Sequence, residues 1–260
     1  MREITPSLNS PARTLAVLEQ IIADGGRSSV SAIARTIGIP VSAAHRHVNA
    51  LLAAGYLARS AYGRHVAGPA LRRIAGMIDE KQIVANAAAA ILDRLASRTK
   101  CVCQLGTLEN DMVTYRLKTG RSADNLFTRV GMQLEAYCSA IGKVLLANLN
   151  ADERAAYLAN GPFIALTDRT ITDPEALERE LARARREGFA VDDEEVVAGL
   201  RCVAVPVRNP SGEVIAAISA SQAADRQGPM PPSRLLAALK DAAREIEHRM
   251  IPNEAAGTAG

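Results

Sequence analysis

One stretch constrains this chain more than any other: SVSAIARTIGIPVSAAHRHVNALLAAG, from Ser29 to Gly55. Its spacing predicts two helices joined by a tight turn, the first from Ser29 or Val30 to Thr36 and the second from Val41 to Ala54. Gly38 supplies the positive φ that such a turn needs. Pro40 sits where a helix can start without missing its N–H, and Gly55 closes the second helix. On a helical wheel Val41, Ala44, Val48, Leu51 and Leu52 share one face, the expected core. Ser42, Ala43 and Arg46 point the other way, with Asn49 and Ala50 beyond them. A helix that turns a hydroxyl, a small residue and an arginine outward over its first turns is built like a major-groove reader. The N-terminal residues of such a helix reach base edges, and the arginine fork matches guanine. Two solvated helices of an all-α domain would look the same, so the flanking sequence decides.

The residues after Gly55 begin YLARSAYGRHVAG. They predict a strand over Tyr56–Ser60, a turn at Tyr62-Gly63 and a returning strand over Arg64–Val66. A hairpin directly after a recognition helix is the wing of a winged helix-turn-helix, and its basic tip suits phosphate or minor-groove contact. The candidate DNA contacts are therefore Ser42, Ala43, Arg46, His47 and Asn49 on the helix, with Arg59, Tyr62 and Arg64 on the wing. Charge agrees. Residues 1–78 carry nine arginines and no lysine against Glu3, Glu19 and Asp24, a net +6, whereas the other 22 basic and 25 acidic residues leave −3. The basic share lies where a polyanion would bind.

The 260 residues suffice for two modest domains. Aromatics amount to 3% with no Trp, which argues against the base-stacking platforms of single-strand readers. Neither a signal peptide nor an apolar run long enough to span a membrane is visible, so a cytoplasmic location without membrane attachment is expected. Cys101, Cys103, Cys138 and Cys202 form no CxxC pair. Reduced, mostly core-packed thiols are expected, with no metal site and no cofactor.

The start of the chain to about Ser10 reads as a polar arm, and Pro11–Ala23 as a first helix that can also supply a dimer face. Gly68–Met77 reads as a short helix. The Ala-rich Lys81–Arg98, with Ile83, Ala87, Ile91, Leu92 and Leu95 along one side, reads as a linker helix. From Cys101 the period changes to two. Cys101–Thr107 and Met112–Lys118 are expected strands around Glu109-Asn110-Asp111, and Ser139–Leu149 is a short helix. Asp173 caps another helix, with Pro174 first and Gly188 at its end. Arg201–Arg208 and Glu213–Ser221 form a hairpin about Asn209-Pro210-Ser211-Gly212, and Pro231–Met250 is a final amphipathic helix. The organisation expected is a DNA-binding domain over 1–78, a linker over 79–99, an α/β sensor domain over 100–251 and a disordered tail over 252–260.

Pairing the hairpin across a four-residue loop sets Cys202 opposite Ser219 and Ala204 opposite Ala217, with Ser221 on the same face. A face of Cys, Ala and Ser is either the floor of a pocket or tight packing beneath a helix, and these residues alone favour packing. If Ser139 caps the helix after it, the amides of Ala140, Ile141 and Gly142 are free donors for an anion. Lys143 reads as a solvated helix residue. Asp192 is either an acceptor for a hydroxylated ligand or a cap or surface acid in the run Asp192–Glu195.

The segments PARTLAVLEQI, IPVSAAHRHVNALLAAGYL, YCSAIGKVLLA and GFAVDDEEVVAGLRCVAVPVRNPSGEVIAAISAS resemble IclR-family transcriptional regulators along almost the whole chain. The resemblance implies an α+β protein: an N-terminal winged helix-turn-helix domain, a helical linker and a C-terminal GAF-like α/β effector-binding domain. It also implies homodimers, often paired into tetramers, on palindromic operators of double-stranded DNA. Carried over by position, the effector contacts fall on Ala140, Ile141, Gly142, Asp192, Cys202, Ser219 and Ser221, which tips the hairpin face toward a pocket. Val41 and Ala43 replace more usual polar residues, so no operator sequence carries over. Ala140-Ile141 replaces a smaller Gly-containing pair, which puts the pocket's size in question.

The leading expectation is a regulator that senses a small organic acid, carboxylic and in some readings aromatic. An enzyme domain fused to a DNA-binding module is the rival of another class. His45, His47 and His65 lie in the basic domain and His248 near the C-terminus, so the pocket has no Ser–His or Cys–His pair. Asp192 would raise the Cys202 thiol pKa rather than lower it. A ligand-independent DNA-binding protein whose C-terminal domain serves oligomerisation is the third possibility, and the hydroxyls and helix-end amides argue against it.

Overall fold

The computed structural model of the protein describes residues 10–60, 63–224 and 232–250. The N-terminal arm up to residue 9, Tyr62 and the tail over 252–260 lie outside the described residues. The chain divides into two units, one ending at Asp79 and the other beginning at Glu80.

The first unit contains α1 (Ser10–Asp24), α2 (Val30–Thr36), α3 (Val41–Ala53), β1 (Leu57–Arg59), β2 (His65–Ala67) and α4 (Pro69–Ala75). Ser29 caps α2 by accepting from the Ala32 amide at 3.3 Å, and Gly38 turns the chain at φ +69°. Val17, Leu18 and Ile21 of α1 pack on Ile33 and Ala34 of α2 and on Ala44, Val48 and Leu51 of α3. β1 and β2 pair antiparallel, Leu57 to Ala67 and Arg59 to His65, as the wing.

The face of α3 differs from the expected one. Ala43 is 6% exposed and Val41 is 40% exposed, so Ala43 belongs to the core and Val41 to the surface. The cause is α1: Thr14 Oγ1 lies 2.9 Å from His47 Nδ1 and draws the buried stripe toward the Ala43–His47 side.

The second unit contains α5 (Glu80–Thr99), β3 (Val102–Glu109), β4 (Met112–Thr119), β5 (Gln133–Glu135), α6 (Ala140–Ala147), α7 (Ala151–Ala159), α8 (Pro174–Glu187), β6 (Ala190–Asp193), β7 (Leu200–Arg208), β8 (Val214–Ala223) and α9 (Pro232–Met250), with a 3-10 turn at Ala123–Asn125. The six strands form one antiparallel sheet in the order β5-β4-β3-β8-β7-β6. Asn110 and Asp111, at φ +50° and +65°, make the two-residue turn of β3–β4. One sheet face carries α5 and α9, whose Leu92, Leu95, Leu239 and Ile246 meet Cys103, Leu105 and Ile218. The opposite face carries α6 and α8, whose Ile141, Val144, Leu177 and Leu181 meet Val113, Ala204 and Ala217.

The helix expected as a linker is thus a core helix of the second unit. Val84, Ala85, Ala88, Ile91, Leu92, Leu95 and Ala96 are buried there, while Ile83 is exposed. Small alanines let it lie close to the sheet, a role an Ala-rich composition does not distinguish from a free-standing helix.

The β7–β8 register also differs. Cys202 pairs with Ser221 and Ala204 with Ser219, because Arg208 pairs with Val214 and a bulge lies at Val207/Arg208. The turn is one residue longer than expected and the bulge adds another. One slip would invert every side chain; two restore the face. Cys202, Ala204, Ala217, Ser219 and Ser221 therefore still share a side, now under α6.

Candidate functional site

On the first unit, Ser42, Arg46 and Asn49 of α3 and Arg59 of β1 are exposed. Three other expected contacts are occupied. Ala43 is buried, His47 is held by Thr14, and Arg64 donates to the Arg27 backbone carbonyl. The surface that remains open for a polyanion is the outer side of the first turns of α3 with Arg59.

On the second unit, a cavity lies between the start of α6 and the sheet. Ser139, Ala140 and Ile141 form one wall, Asp192 and Val196 another, and Cys202, Ser219 and Ser221 the floor. Gln104, Tyr115, Leu134, Leu200 and the segment Leu126–Thr128 complete it. The open space amounts to about 20 Å³ for the centre of a water-sized sphere, room for about one water. The cavity is narrow.

Each wall has a local cause. Ser139 has the extended conformation of an N-cap, and its Oγ accepts from the Gly142 amide at 3.1 Å. That bond withdraws Gly142 from the expected donor set, and Gly142 does not line the cavity. Ala140 and Ile141 remain as the amides of the helix start. Gly142 has a packing role instead: a Cβ built there meets the Ala136 backbone, 2.6 Å from its carbonyl carbon. Gly142→Ala is expected to lower stability by about 1–3 kcal/mol through overpacking that no side-chain rotation can relieve. An unchanged urea midpoint would mean that the start of α6 can draw back from Ala136 at no cost.

Asp192 is not a surface acid: it is buried, caps the turn after β6 and also lines the cavity. It stands on β6, opposite Cys202, and its Oδ1 accepts from the amides of Glu195 at 2.7 Å and Val196 at 3.3 Å. Burial raises its pKa, against the pull of those amides and of Lys143. Cys202 Sγ lies 3.2 Å from Ser221 Oγ. Burial, then the charge of Asp192, push the Cys202 thiol well above its ordinary value, so it is no activated nucleophile. Burial likewise pushes Cys138 up to about 12.

Lys143 overturns its expected solvation. Its side chain is 1% exposed and pairs with Glu195, and its Nζ lies 3.4 Å from Glu180. Burial raises the Glu195 pKa while Lys143 opposes the rise, and Glu195 Oε2 is buried without a partner. The network joins α6, α8 and the turn after β6 directly behind Asp192.

Sequence reasoning missed Gln104, Tyr115, Leu134, Val196, Leu200 and Leu126–Thr128. Gln104 had a signal, since a lone amide inside the apolar run CVCQLGT is costly to bury without a task. Leu126–Thr128 had none, being irregular backbone.

A winged helix-turn-helix unit with an exposed arginine on its second helix, in one chain with an α/β unit that encloses a polar-floored cavity, defines a DNA-binding transcriptional regulator. Comparison with known proteins agrees and narrows the class. Residues 10–61 match the IclR helix-turn-helix domain and residues 76–248 the bacterial transcriptional regulator IclR C-terminal domain. The chain belongs to the IclR family. It is 30% identical over 247 residues to the Pca regulon regulatory protein of Pseudomonas putida, covering 94% of this chain and 84% of that one. It is 33% identical over 227 residues to the HTH-type transcriptional regulator XynR of Escherichia coli K12, covering 85% and 88%. Among solved structures it resembles the IclR of Thermotoga maritima, at TM-score 0.60 and 28% identity over 93% of this chain and 98% of that one. It also resembles an IclR homolog of Microbacterium hydrocarbonoxydans complexed with 4-hydroxybenzoate, at TM-score 0.61 and 30% identity over 93% and 99%. These relatives are transcriptional regulators rather than enzymes. Among the described residues, no helix is long and apolar enough to cross a membrane and no cluster of His, Cys, Asp or Glu could hold a metal ion.

Proposed function

We propose that the protein is a cytoplasmic, ligand-responsive regulator that binds a palindromic operator as a homodimer or dimer of dimers and answers to a small hydroxylated carboxylic acid. The observation that carries this reading is the cavity's polar lining. Ala140 and Ile141 at the start of α6, the Asp192 carboxylate and the Ser219 and Ser221 hydroxyls all line it. A carboxylate suits the helix start, where backbone N–H groups and the helix dipole favour negative charge. It would be repelled by Asp192, which favours a ligand hydroxyl instead. An acid that also carries a hydroxyl, such as the 4-hydroxybenzoate of the Microbacterium homolog, offers both groups. On the DNA side, Arg46 with Ser42 and Asn49 would read bases and Arg59 would hold phosphate.

The narrow cavity favours the rival in which the second unit only oligomerises. A thermal-shift titration with 4-hydroxybenzoate and simpler hydroxy acids decides. Ligand at 100 times its Kd adds about 2.7 kcal/mol of stability, and a panel without any shift removes the acid. For an acid that binds, Ser221→Ala is expected to weaken binding by about tenfold, the worth of one hydrogen bond to a charged group. Equal calorimetric affinities for wild type and variant would take Ser221 out of the site.

A further inference from the structure

Regular structure builds every wall of the cavity but two, the Val196 turn after β6 and the segment Leu126–Thr128. Residues Leu126–Thr128 come after the 3-10 turn and before β5. Among the described residues, no backbone–backbone hydrogen bond joins Phe127 or Thr128 to the sheet. This segment nevertheless contributes Leu126, Phe127 and Thr128 to the cavity, and Phe127 is 43% exposed beside a Thr128 that is buried.

Side chains hold it. Lys118 Nζ donates to the Leu126 carbonyl at 2.8 Å and also to the Thr128 carbonyl. Gln104 Nε2 donates to Thr128 Oγ1 at 2.7 Å. Gln104 and Lys118 are direct cross-strand partners on β3 and β4, so one rung of the sheet supplies all three bonds. Burial disfavours the charged form of Lys118, and the two carbonyls take the place of lost water around its ammonium.

We infer that Lys118 and Gln104 are positioning residues that latch the Leu126–Thr128 wall over the cavity and so set how large a ligand it admits. This rests on reading the cavity as the effector site. With room for about one water, no organic acid enters unless a wall moves. The other walls are a capped helix, a sheet and a turn bonded to Asp192, whereas the Leu126–Thr128 wall is released by breaking three side-chain bonds.

Cys202 on the floor reports the latch without any effector. The full-length protein is treated with iodoacetamide, and alkylation of each cysteine is followed by peptide mass spectrometry. Cys103, on the opposite face of the sheet, monitors general unfolding. Lys118→Met is expected to raise the Cys202 rate about tenfold with the Cys103 rate unchanged, while Lys118→Arg, which keeps a donor, stays within about twofold. Cys202 labelled at the wild-type rate in Lys118→Met overturns the latch. If that variant exposes Cys103 as well, Thr128→Val decides, since it removes only the Gln104 bond. A selective rise of about threefold at Cys202 then supports the latch, and an unchanged rate overturns it. Because no acid is present, failure of the latch and failure of the acid reading are separate results.

Discussion

Lys143→Met is expected to destabilise the second unit by about 3–5 kcal/mol, the cost of removing one partner from a buried ion pair. The methionine keeps most of the volume, so the loss is electrostatic. It strands Glu195, which is 4% exposed and already has one oxygen without a partner, and it unbalances Glu180. The pH dependence has a definite sign. Burial raises the folded-state pKa of Glu195 above the ordinary 4.5 of a glutamate, and removing Lys143 raises it further. The folded state then binds more protons than the unfolded state, so stability falls as pH rises through that window. The deficit against wild type should be greatest above the raised pKa and shrink as pH falls toward 4.5. Adding Glu195→Leu should recover much of the loss, because an apolar replacement of the pair leaves no charge stranded. Urea unfolding of the three proteins across pH measures this; a Lys143→Met deficit below about 1 kcal/mol at every pH would place Lys143 in contact with water.

That lysine also marks where the sequence stops being informative. A lysine in the first turns of a short helix reads as solvated because Glu195, 52 positions away, is invisible in the local pattern. Features written in neighbouring residues are legible: the Gly38 turn, Asp173-Pro174 opening α8 and Gly188 ending it, and the alternation of β7 and β8. Features set by a distant partner are not. The buried stripe of α3 turns toward His47 because Thr14 lies 33 residues earlier. The β7–β8 register depends on a bulge with no residue signature, yet the expected face survives because the longer turn and the bulge each shift it by one residue. The cavity is half legible. Its floor and the start of α6 follow from strand and cap rules, whereas the Leu126–Thr128 wall has no periodicity and is placed by Gln104 and Lys118 from another part of the chain.

The rotation of α3 bears directly on DNA. With Ala43 in the core and His47 tied to α1, the exposed side chains of the first turns are Val41, Ser42, His45, Arg46 and Asn49. Arg46 is the one with a fork that can take both acceptors of a guanine edge. Arg46→Ala is accordingly expected to cost about 1–3 kcal/mol on DNA that the protein selects from a random pool, and to relax preference at one base pair of each half-site. Arg59→Ala should behave differently. Losing a wing arginine from phosphate lowers affinity for every sequence alike and reduces the slope of log K against log salt by about one unit. Arg64→Ala is expected to perturb folding more than recognition, because its guanidinium already serves the Arg27 carbonyl. Fluorescence anisotropy on selected and scrambled duplexes at several salt concentrations separates the three. If Arg46→Ala bound all duplexes more weakly by one common factor, Arg46 would be a phosphate contact, and the base-reading side of α3 would have to be sought around His45 and Asn49.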